Sequence, residues 1–302
     1  MGTRSGPFQG VIASVITPFH ADGSVAWNEL DRETELLSGS PVDALCVGGL
    51  MSETEGSTPE ELGRMCAAVS RRATKPVVAM IYPDTQPEAA ELARAVDAGG
   101  VQALFVAQPH YLCQPGPVGL VEMFDDLRTG TRLPVLLANC QRNAMVDVAS
   151  MERLIQAGVV DGILFGGDGA HLMVDLLCLR LNVPVLSAME DLHYMSLLLG
   201  ACGIVSDLAS VFPAETAALY RAWRAGDYDG ARTCHERLVR LWRAMDHPSE
   251  QRTRLRAALA GLGRNIGEAR SPYNLASADT SRQVRTAIER EGLAGSSLTP
   301  SL

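Results

Sequence analysis

The chain has 302 residues, of which 47% are hydrophobic and 20% charged, with a formal net charge of −9. This length and composition predict a globular protein with one large core, and the acidic balance argues against binding to nucleic acid or to an anionic membrane surface. No uninterrupted apolar stretch approaches the roughly 18 residues of a membrane span, and Met1 to Gly6 lack the apolar core of a signal peptide. A cytoplasmic location without membrane contact is therefore expected.

Eight short apolar segments recur along the chain, and each is followed by a helical pattern. Pro76, Pro134 and Pro184 open three of them, and proline is tolerated at the first residue of a strand but not in its middle. Continuous apolar strands that alternate with helices indicate a parallel sheet covered by helices, and eight repeats favour a closed (β/α)8 TIM barrel. Strands are predicted near residues 11–17, 43–48, 76–81, 101–107, 133–138, 160–165, 183–187 and 202–206.

Beyond about residue 225 the pattern becomes purely helical. Apolar residues at helical spacing predict helices over residues 228–245, 250–262 and 281–291. We therefore predict a barrel over residues 1–225 and a C-terminal helical extension over residues 226–302, packed on the barrel within one structural domain. The seven cysteines are scattered and include no closely spaced pair, so neither a disulfide framework nor structural zinc is expected.

Several short motifs resemble the dihydrodipicolinate synthase and N-acetylneuraminate lyase family of barrel aldolases. They are Thr17-Pro18-Phe19, Glu53 with Thr58-Pro59-Glu60-Glu61, Pro109-His110-Tyr111, Asn139, and Gly200 to Ser206. The resemblance covers essentially the whole chain and implies the barrel fold, a small-molecule substrate and a homodimer or homotetramer. It also implies that Tyr111 reaches into the active site of a neighbouring subunit.

The chain departs from this family where its chemistry resides. Leu164 stands where the resemblance implies the imine-forming lysine, and Ala138-Asn139-Cys140-Gln141 stands where it implies a tyrosine that shuttles protons. The segment Gly49 to Glu53 replaces a loop whose hydroxyl groups bind a keto-acid carboxylate. Lys75 is the only lysine and precedes the third predicted strand, at the end of the barrel opposite the active site. An imine mechanism is therefore excluded by these residues.

Polar side chains follow most of the predicted strands and form the candidate active site. We predict Glu53 as the general base, with a pKa raised by the apolar Leu50 and Met51. Glu190 is the predicted second carboxylate, and His110 and Tyr111 complete the catalytic candidates. The candidate substrate-binding residues are Asn139, Arg142, Tyr82, Ser206, Asp207 and Leu164.

Other interpretations of these residues stay open. Glu53 and Glu190 could instead cap the helices that follow them. Cys140 could be a nucleophile, although no base lies near it in the sequence. Glu53, Glu190, Asp207 and His110 could together ligate a divalent ion, but no paired metal-binding motif supports that arrangement, so no metal and no cofactor are expected.

The sequence favours an enzyme that acts on a small polar metabolite by general acid/base chemistry without a Schiff base. An elimination, a hydration, a cyclisation or a retro-aldol step would fit, and so would a place in a specialised biosynthetic pathway. The alternative is an inactive relative that binds a small molecule or serves as a scaffold.

Overall fold

The computed structural model describes residues 8–109, 115–141, 144–167 and 169–293, which contain a closed barrel of eight parallel strands. Each strand pairs with the next one in the chain, and the last pairs with the first, with Gly203 opposite Gly10. The predicted (β/α)8 fold is confirmed. The strands are β1 (Gly10–Ser14), β2 (Ala44–Val47), β3 (Val77–Ile81), β4 (Leu104–Val106), β5 (Val135–Asn139), β6 (Gly162–Phe165), β7 (Val185–Ser187) and β8 (Gly203–Ser206).

Helices follow the strands, and several begin at residues that cap them. The Thr58 hydroxyl accepts a hydrogen bond from Glu61 N (3.1 Å), and Asp147 accepts one from Ser150 N (2.9 Å). No described helix is long and apolar enough to cross a membrane. The helices are α1 (Trp27–Gly39), α2 (Pro59–Arg72), α3 (Gln86–Ala98), α4 (Pro117–Gly130), α5 (Val148–Gln156), α6 (Ala170–Cys178), α7 (His193–Leu199), α8 (Leu208–Val211), α9 (Pro213–Arg224), α10 (Tyr228–Met245), α11 (Gln251–Gly261) and α12 (Ala278–Arg290).

Side chains along each strand alternate between the barrel lumen and the surrounding helices, as the two-residue period of a strand requires. In β6, for example, Leu164 faces the lumen while Ile163 and Phe165 pack against the outer helices. The lumen is therefore a packed apolar core, and a polar site can form only above it. Its buried members are Ile12, Ala44, Cys46, Val78, Met80, Ala103, Phe105, Ala107, Leu136, Ala138, Cys140, Leu164, Leu186 and Val205.

The C-terminal helices pack against the end of the barrel where the strands' carboxyl ends lie. A second apolar cluster joins Leu241 of α10, Leu259 of α11 and Val284 of α12 to Ile16, which follows β1. The three helices lie where the periodicity predicts them, within a few residues at each end. The assignment of residue 225 as a boundary between barrel and extension stays a prediction.

Candidate active site

A cleft of about 430 Å³ opens above the lumen, at the carboxyl ends of the strands. We call it the mouth cleft, and its volume suits a small metabolite. The loops after β2, β5, β6, β7 and β8 form one side of it, and α10 and α11 form the other. Its lining residues are Leu50, Met51, Cys140, Gln141, Gly167, Ala188, Met189, Glu190, Asp191, Asp207, Trp242, Arg243, Asp246 and Gln251.

A smaller cavity of about 200 Å³ adjoins the mouth cleft and shares Leu50 and Gln141 with it. Its remaining lining residues are Glu55, Tyr82 and Arg252. A larger cavity of about 560 Å³ lies apart, between the loops after β1 and β2 and residues 269–274. We place the candidate site in the mouth cleft, because active sites of such barrels form over the strand ends.

Asp207 is a carboxyl group of the mouth cleft whose environment is strongly altered. It follows β8 directly, is only 8% exposed, and its Oδ1 has no hydrogen-bond partner within the described residues. Burial, and then the negative charge of Glu190, raise the pKa of Asp207 to about 7. Nearby hydrogen-bond donors and Arg252 offset only part of this effect. Near neutral pH the carboxyl group can therefore exist in both protonation states, as a general acid/base requires.

Gly49 allows the chain to pass closely over Asp207. A Cβ atom at this position would lie 3.3 Å from Asp207 Oδ1 and would collide with the Ser14 hydroxyl. The loop after β2 therefore covers the Oδ1 side of the carboxyl group. This enclosure is the local cause of the burial that raises the pKa of Asp207.

Glu190 is held by five hydrogen-bonding contacts that fix its orientation. Its Oε1 accepts hydrogen bonds from the backbone N–H groups of Asp207 (2.7 Å) and Leu208 (3.0 Å), and both carboxylate oxygens accept from the Ser206 hydroxyl. Its Oε2 lies 3.1 Å from His193 Nε2. The carboxylate does not cap α7, the helix that follows Glu190, as the capping alternative expected; it caps the first N–H groups at the start of α8 instead. Glu190 also holds the Asp207 backbone in place.

A buried polar chain continues behind Glu190. His193 Nδ1 lies 3.3 Å from the Ser187 hydroxyl, which accepts a hydrogen bond from the Ser196 hydroxyl (2.9 Å). All three side chains are buried between β7 and α7. They orient the His193 ring and, through it, the carboxylate of Glu190.

Tyr82 and Arg252 face the mouth cleft from the adjoining cavity. The Tyr82 hydroxyl donates to Met80 Sδ (2.7 Å), which is a weak acceptor, and burial raises the Tyr82 pKa well above its usual value. Arg252 donates to the carbonyl of Leu50 (2.8 Å) and pairs with Glu55. Tyr82 lies beside the cleft, and its role in substrate binding stays a prediction.

The structure does not bring Glu53 to the mouth cleft, so the prediction that Glu53 is the general base is corrected. Glu53 is 2% exposed, Arg256 Nε donates to its Oε1 (2.6 Å), and the backbone N–H of Arg270 donates to its Oε2 (2.8 Å). Both oxygens therefore have partners inside the protein, on the side of the C-terminal helices. The apolar Leu50 and Met51 adjoin the cleft instead. This geometry is that of a structural ion pair.

Three predicted substrate-binding residues also lie elsewhere than expected. Asn139 faces the outer helices, where its amide exchanges two hydrogen bonds of 2.9 Å with the backbone of Val146. Ser206 donates to Glu190 and does not line the cleft. Leu164 is fully buried in the lumen core, beneath the cleft. In each case the alternation of the strand decides which face the side chain occupies.

His110, Tyr111 and Arg142 lie outside the described residues, and their roles stay predictions. Cys140 lines the cleft, but burial raises the pKa of its thiol far above neutrality, so it is not poised as a nucleophile. Among the described residues, no three side chains of the usual ligand types come together as a metal site would require.

The sequence prediction missed the contribution of the C-terminal helices to the mouth cleft. Trp242, Arg243 and Asp246 come from α10 and the turn after it, and Arg252 comes from α11. Closely spaced charged residues at Arg252, Arg254 and Arg256, within a helix that packs on the barrel, were the available signal. Their spacing alone could not indicate which barrel loop they meet.

Lys75 lies at the opposite end of the barrel from the mouth cleft. It precedes β3, and its ammonium group donates to the backbone carbonyls of Ser40 and Val42, in the connection from α1 to β2. That connection enters a strand at its amino end. The ammonium group is therefore separated from the cleft by the length of the lumen core.

Comparison with known proteins identifies close similarity in sequence and in fold. The model of the "Dihydrodipicolinate synthetase family" matches residues 7–291. A 4-hydroxy-tetrahydrodipicolinate synthase of Methanothrix thermoacetophila is 30% identical over 291 residues, covering 94% of this chain and 97% of that protein. One from Sorangium cellulosum is 28% identical over 293 residues, covering 94% and 96%. The crystal structure of dihydrodipicolinate synthase from Aquifex aeolicus superposes with a TM-score of 0.87 at 25% identity, covering 95% of this chain and 99% of that chain.

Proposed function

Because the chain belongs to the dihydrodipicolinate synthetase family, we propose that it is a diverged lyase-type enzyme of that family, acting on a small polar metabolite by general acid/base chemistry without a Schiff base. The observation that carries this proposal is Asp207, a buried carboxyl group that lines the mouth cleft and whose pKa is raised to about 7. Groups with a pKa near the working pH are the most effective proton-transfer catalysts.

The proposal departs from the activity after which the relatives are named. The family resemblance implies an imine with a lysine on β6, and the residue there is Leu164, which is fully buried. Lys75 is the only lysine of the chain and lies at the far end of the barrel. Arginine cannot replace it, because a guanidinium group stays protonated and is no nucleophile. We therefore do not extend the activity of the relatives to this chain.

An elimination illustrates the role proposed for Asp207. In its ionised form the carboxylate removes a proton from a substrate carbon, and the electron pair of that bond forms a double bond as a hydroxyl group leaves. The carboxylic acid formed at Asp207 then protonates the leaving oxygen, which departs as water. Hydration is the reverse of this sequence. A retro-aldol step instead takes the proton from a hydroxyl group and returns one to carbon as the C–C bond breaks, and a cyclisation likewise needs a group that removes one proton and returns another.

Other residues of the site act on orientation and charge in this proposal. Glu190 holds the Asp207 backbone and, by its charge, keeps the pKa of Asp207 raised. The phenol of Tyr82 stays protonated, because its pKa is raised, and can turn from its weak thioether acceptor to a substrate oxygen. Glu190 is thus a positioning residue, whereas Asp207 would touch the reacting atoms.

The proposal is tested with a substrate found by screening metabolites for turnover. Asp207→Asn should lower kcat by about 10² to 10⁴, because it removes the proton-transfer group and nearly preserves its shape. Asp229→Asn is the matched control, since Asp229 is fully exposed on α10 and the substitution changes the net charge equally. The intact mass after borohydride treatment with substrate should stay unchanged. Normal turnover by Asp207→Asn, or a reduced adduct on Lys75, would reject the mechanism.

The alternative is an inactive relative that binds a small molecule or serves as a scaffold. The apolar lumen favours it, because Leu164 and Ala138 fill the space beneath the cleft in which family chemistry would take place. Ligand binding in the mouth cleft, with no turnover of any bound metabolite, would support this alternative over the enzyme.

Assembly and location are further parts of the proposal. The family resemblance and the exposed apolar residues of α7, Met195, Leu198 and Leu199, support a homodimer or a homotetramer. A cytoplasmic location stays a prediction from the sequence.

A further inference from the structure

We propose that His235 forms a pH-sensitive contact, which holds one wall of the mouth cleft together near neutral pH and releases it in mild acid. His235 belongs to α10 and takes no part in the proton transfer assigned to Asp207. The contact concerns access to the cleft, so its test is independent of the proposed chemistry.

His235 lies where α10 meets the turn between β7 and α7. Its Nε2 lies 3.1 Å from the backbone carbonyl oxygen of Asp191, and its ring centre lies 6.1 Å from that of Tyr194. The same turn supplies Met189, Glu190 and Asp191 to the mouth cleft. A movement of the turn away from α10 would therefore change the wall of the cleft.

The helix side of this contact also belongs to the cleft. Trp242 follows His235 by about two helical turns, so both side chains lie on one face of α10. Trp242 and Arg243 line the mouth cleft, and Arg243 pairs with the Asp191 carboxylate (2.8 Å). The Arg243 guanidinium group is more than half exposed, and ion pairs of that kind contribute little to stability. The bond from His235 to the Asp191 carbonyl is therefore the more protected link between the two sides.

The second ring nitrogen of His235 is enclosed without a hydrogen-bond partner among the described residues. A carbonyl oxygen can only accept, so the bond to Asp191 places the proton of the neutral ring on Nε2 and leaves Nδ1 as an acceptor. Protonation would put a charged N–H donor at this enclosed position, and a buried charged donor without a partner is costly. The protonated ring therefore favours a conformation in which Nδ1 reaches water, and the ring must leave its present neighbours to adopt it.

The groups around His235 favour its neutral form while the contact is closed. Burial, and then the nearby His193 ring, lower the pKa of His235 from its usual value. The carbonyl and the charge of Asp191, together with the charge of Glu190, act in the opposite direction and offset only part of this effect. Further titratable or charged groups at the contact are Tyr194 of α7 and Tyr228 and Arg243 of α10.

The sign of the pH effect follows from this lowered pKa. In an open conformation the ring takes up a proton as pH falls through its usual value of about 6.5, whereas in the closed conformation it does so only at lower pH. The closed conformation is therefore favoured in full above about pH 6.5 and loses population as pH falls below it. Between the two pKa values the ratio of open to closed molecules rises up to about tenfold for each unit of pH.

Hydrogen–deuterium exchange of the full chain at about pH 7.5 and about pH 5.5 tests the proposal. The wild type is compared with His235→Gln at the same pH, so the intrinsic pH dependence of exchange cancels. Glutamine can donate to the Asp191 carbonyl from a similar position but cannot be protonated. In peptides from residues 186–199 and 228–245, both proteins should exchange alike at about pH 7.5. At about pH 5.5 the wild type should exchange about three- to tenfold faster.

Two controls separate a local release from a general loss of stability. His171→Gln, at an exposed position of α6, should behave as the wild type at both pH values. Peptides from α2, which lies away from this contact, should show no difference between the wild type and His235→Gln. If His235→Gln does not fold, as judged by circular dichroism, His235→Phe keeps an aromatic ring against Tyr194 and takes its place in the same comparison.

Three results would overturn the proposal. The first is equal exchange by the wild type and the His235 variant at about pH 5.5. The second is a difference of the same size at both pH values, which would show that protonation is not its cause. The third is an acid-induced difference that extends to the α2 peptides, because it would indicate general destabilisation and not a release of α10 from the turn.

Discussion

At the scale of single residues, two buried carboxyl groups show how a partner decides a role. Glu53 and Asp207 both lie near the strand ends and are almost fully covered. Glu53 pairs with the guanidinium group of Arg256, which compensates its charge. Asp207 instead adjoins another carboxylate, that of Glu190. The same residue chemistry therefore yields a structural pair in one case and a proton-transfer candidate in the other.

The raised pKa of Asp207 predicts a specific dependence of stability on pH. The folded protein holds a proton between about pH 4 and pH 7 that the unfolded chain releases, so this contribution to stability is lost as pH rises through about 7. Asp207→Asn cannot ionise, so it lacks the destabilisation that the ionised carboxylate causes in the folded wild type above about pH 7. We expect the variant to be more stable than the wild type at about pH 8, by on the order of 2–4 kcal/mol, with a smaller difference at about pH 5.

Urea unfolding of both proteins at the two pH values measures this difference, and the subtraction cancels the titration of all other groups. An Asp207→Asn variant that is equally stable relative to the wild type at both values would show that the carboxyl group titrates normally.

At the scale of elements, ion pairs from α11 connect the loop after β2 to the C-terminal part of the chain. Arg252 and Arg256 lie four residues apart, hence on one face of the helix, and pair with Glu55 and Glu53. Arg256 also donates to the carbonyls of Thr17 (2.8 Å) and Ile266 (3.0 Å). One helix therefore positions the loops that follow β1 and β2, and with them the wall of the mouth cleft.

Removing the charge of Glu53 should affect folding more than chemistry. Glu53→Gln leaves the buried Arg256 without its counter-charge, and we expect a loss of about 3 kcal/mol in the free energy of unfolding. Turnover by the folded variant should stay within a few-fold of the wild type. Glu60→Gln, at an exposed position of α2, is the matched control and should change neither quantity. A large loss of kcat without a loss of stability would restore Glu53 as the general base.

At the scale of the whole molecule, the exposed apolar residues predict assembly. Met195, Leu198 and Leu199 lie on α7 and are partly or largely exposed, which is costly for an isolated molecule. We expect light scattering at micromolar concentration to give two or four times the chain mass of 32.3 kDa. A particle of the mass of one chain across a dilution series would contradict this expectation.

The sequence by itself determined the barrel and much of the residue content of the site. Strand positions followed from short, continuous apolar segments, as expected for strands that are buried on both faces of the sheet. The helical periodicity located α10, α11 and α12. The position of Lys75 just before β3 was sufficient to predict that its amine lies at the end of the barrel opposite the mouth cleft. Tyr82, Glu190 and Asp207 were predicted at the mouth because they follow strands.

Only the tertiary structure decided which of these side chains face the cleft and what they meet there. A shift of one residue along a strand turns a side chain to the opposite face, which separates Asn139 from Cys140 and Ser206 from Asp207. The pairing of Glu53 with Arg256 joins residues 203 positions apart, and local pattern carries no information about such contacts. The pKa of Asp207 depends on burial and on Glu190, so it too is a property of the folded chain.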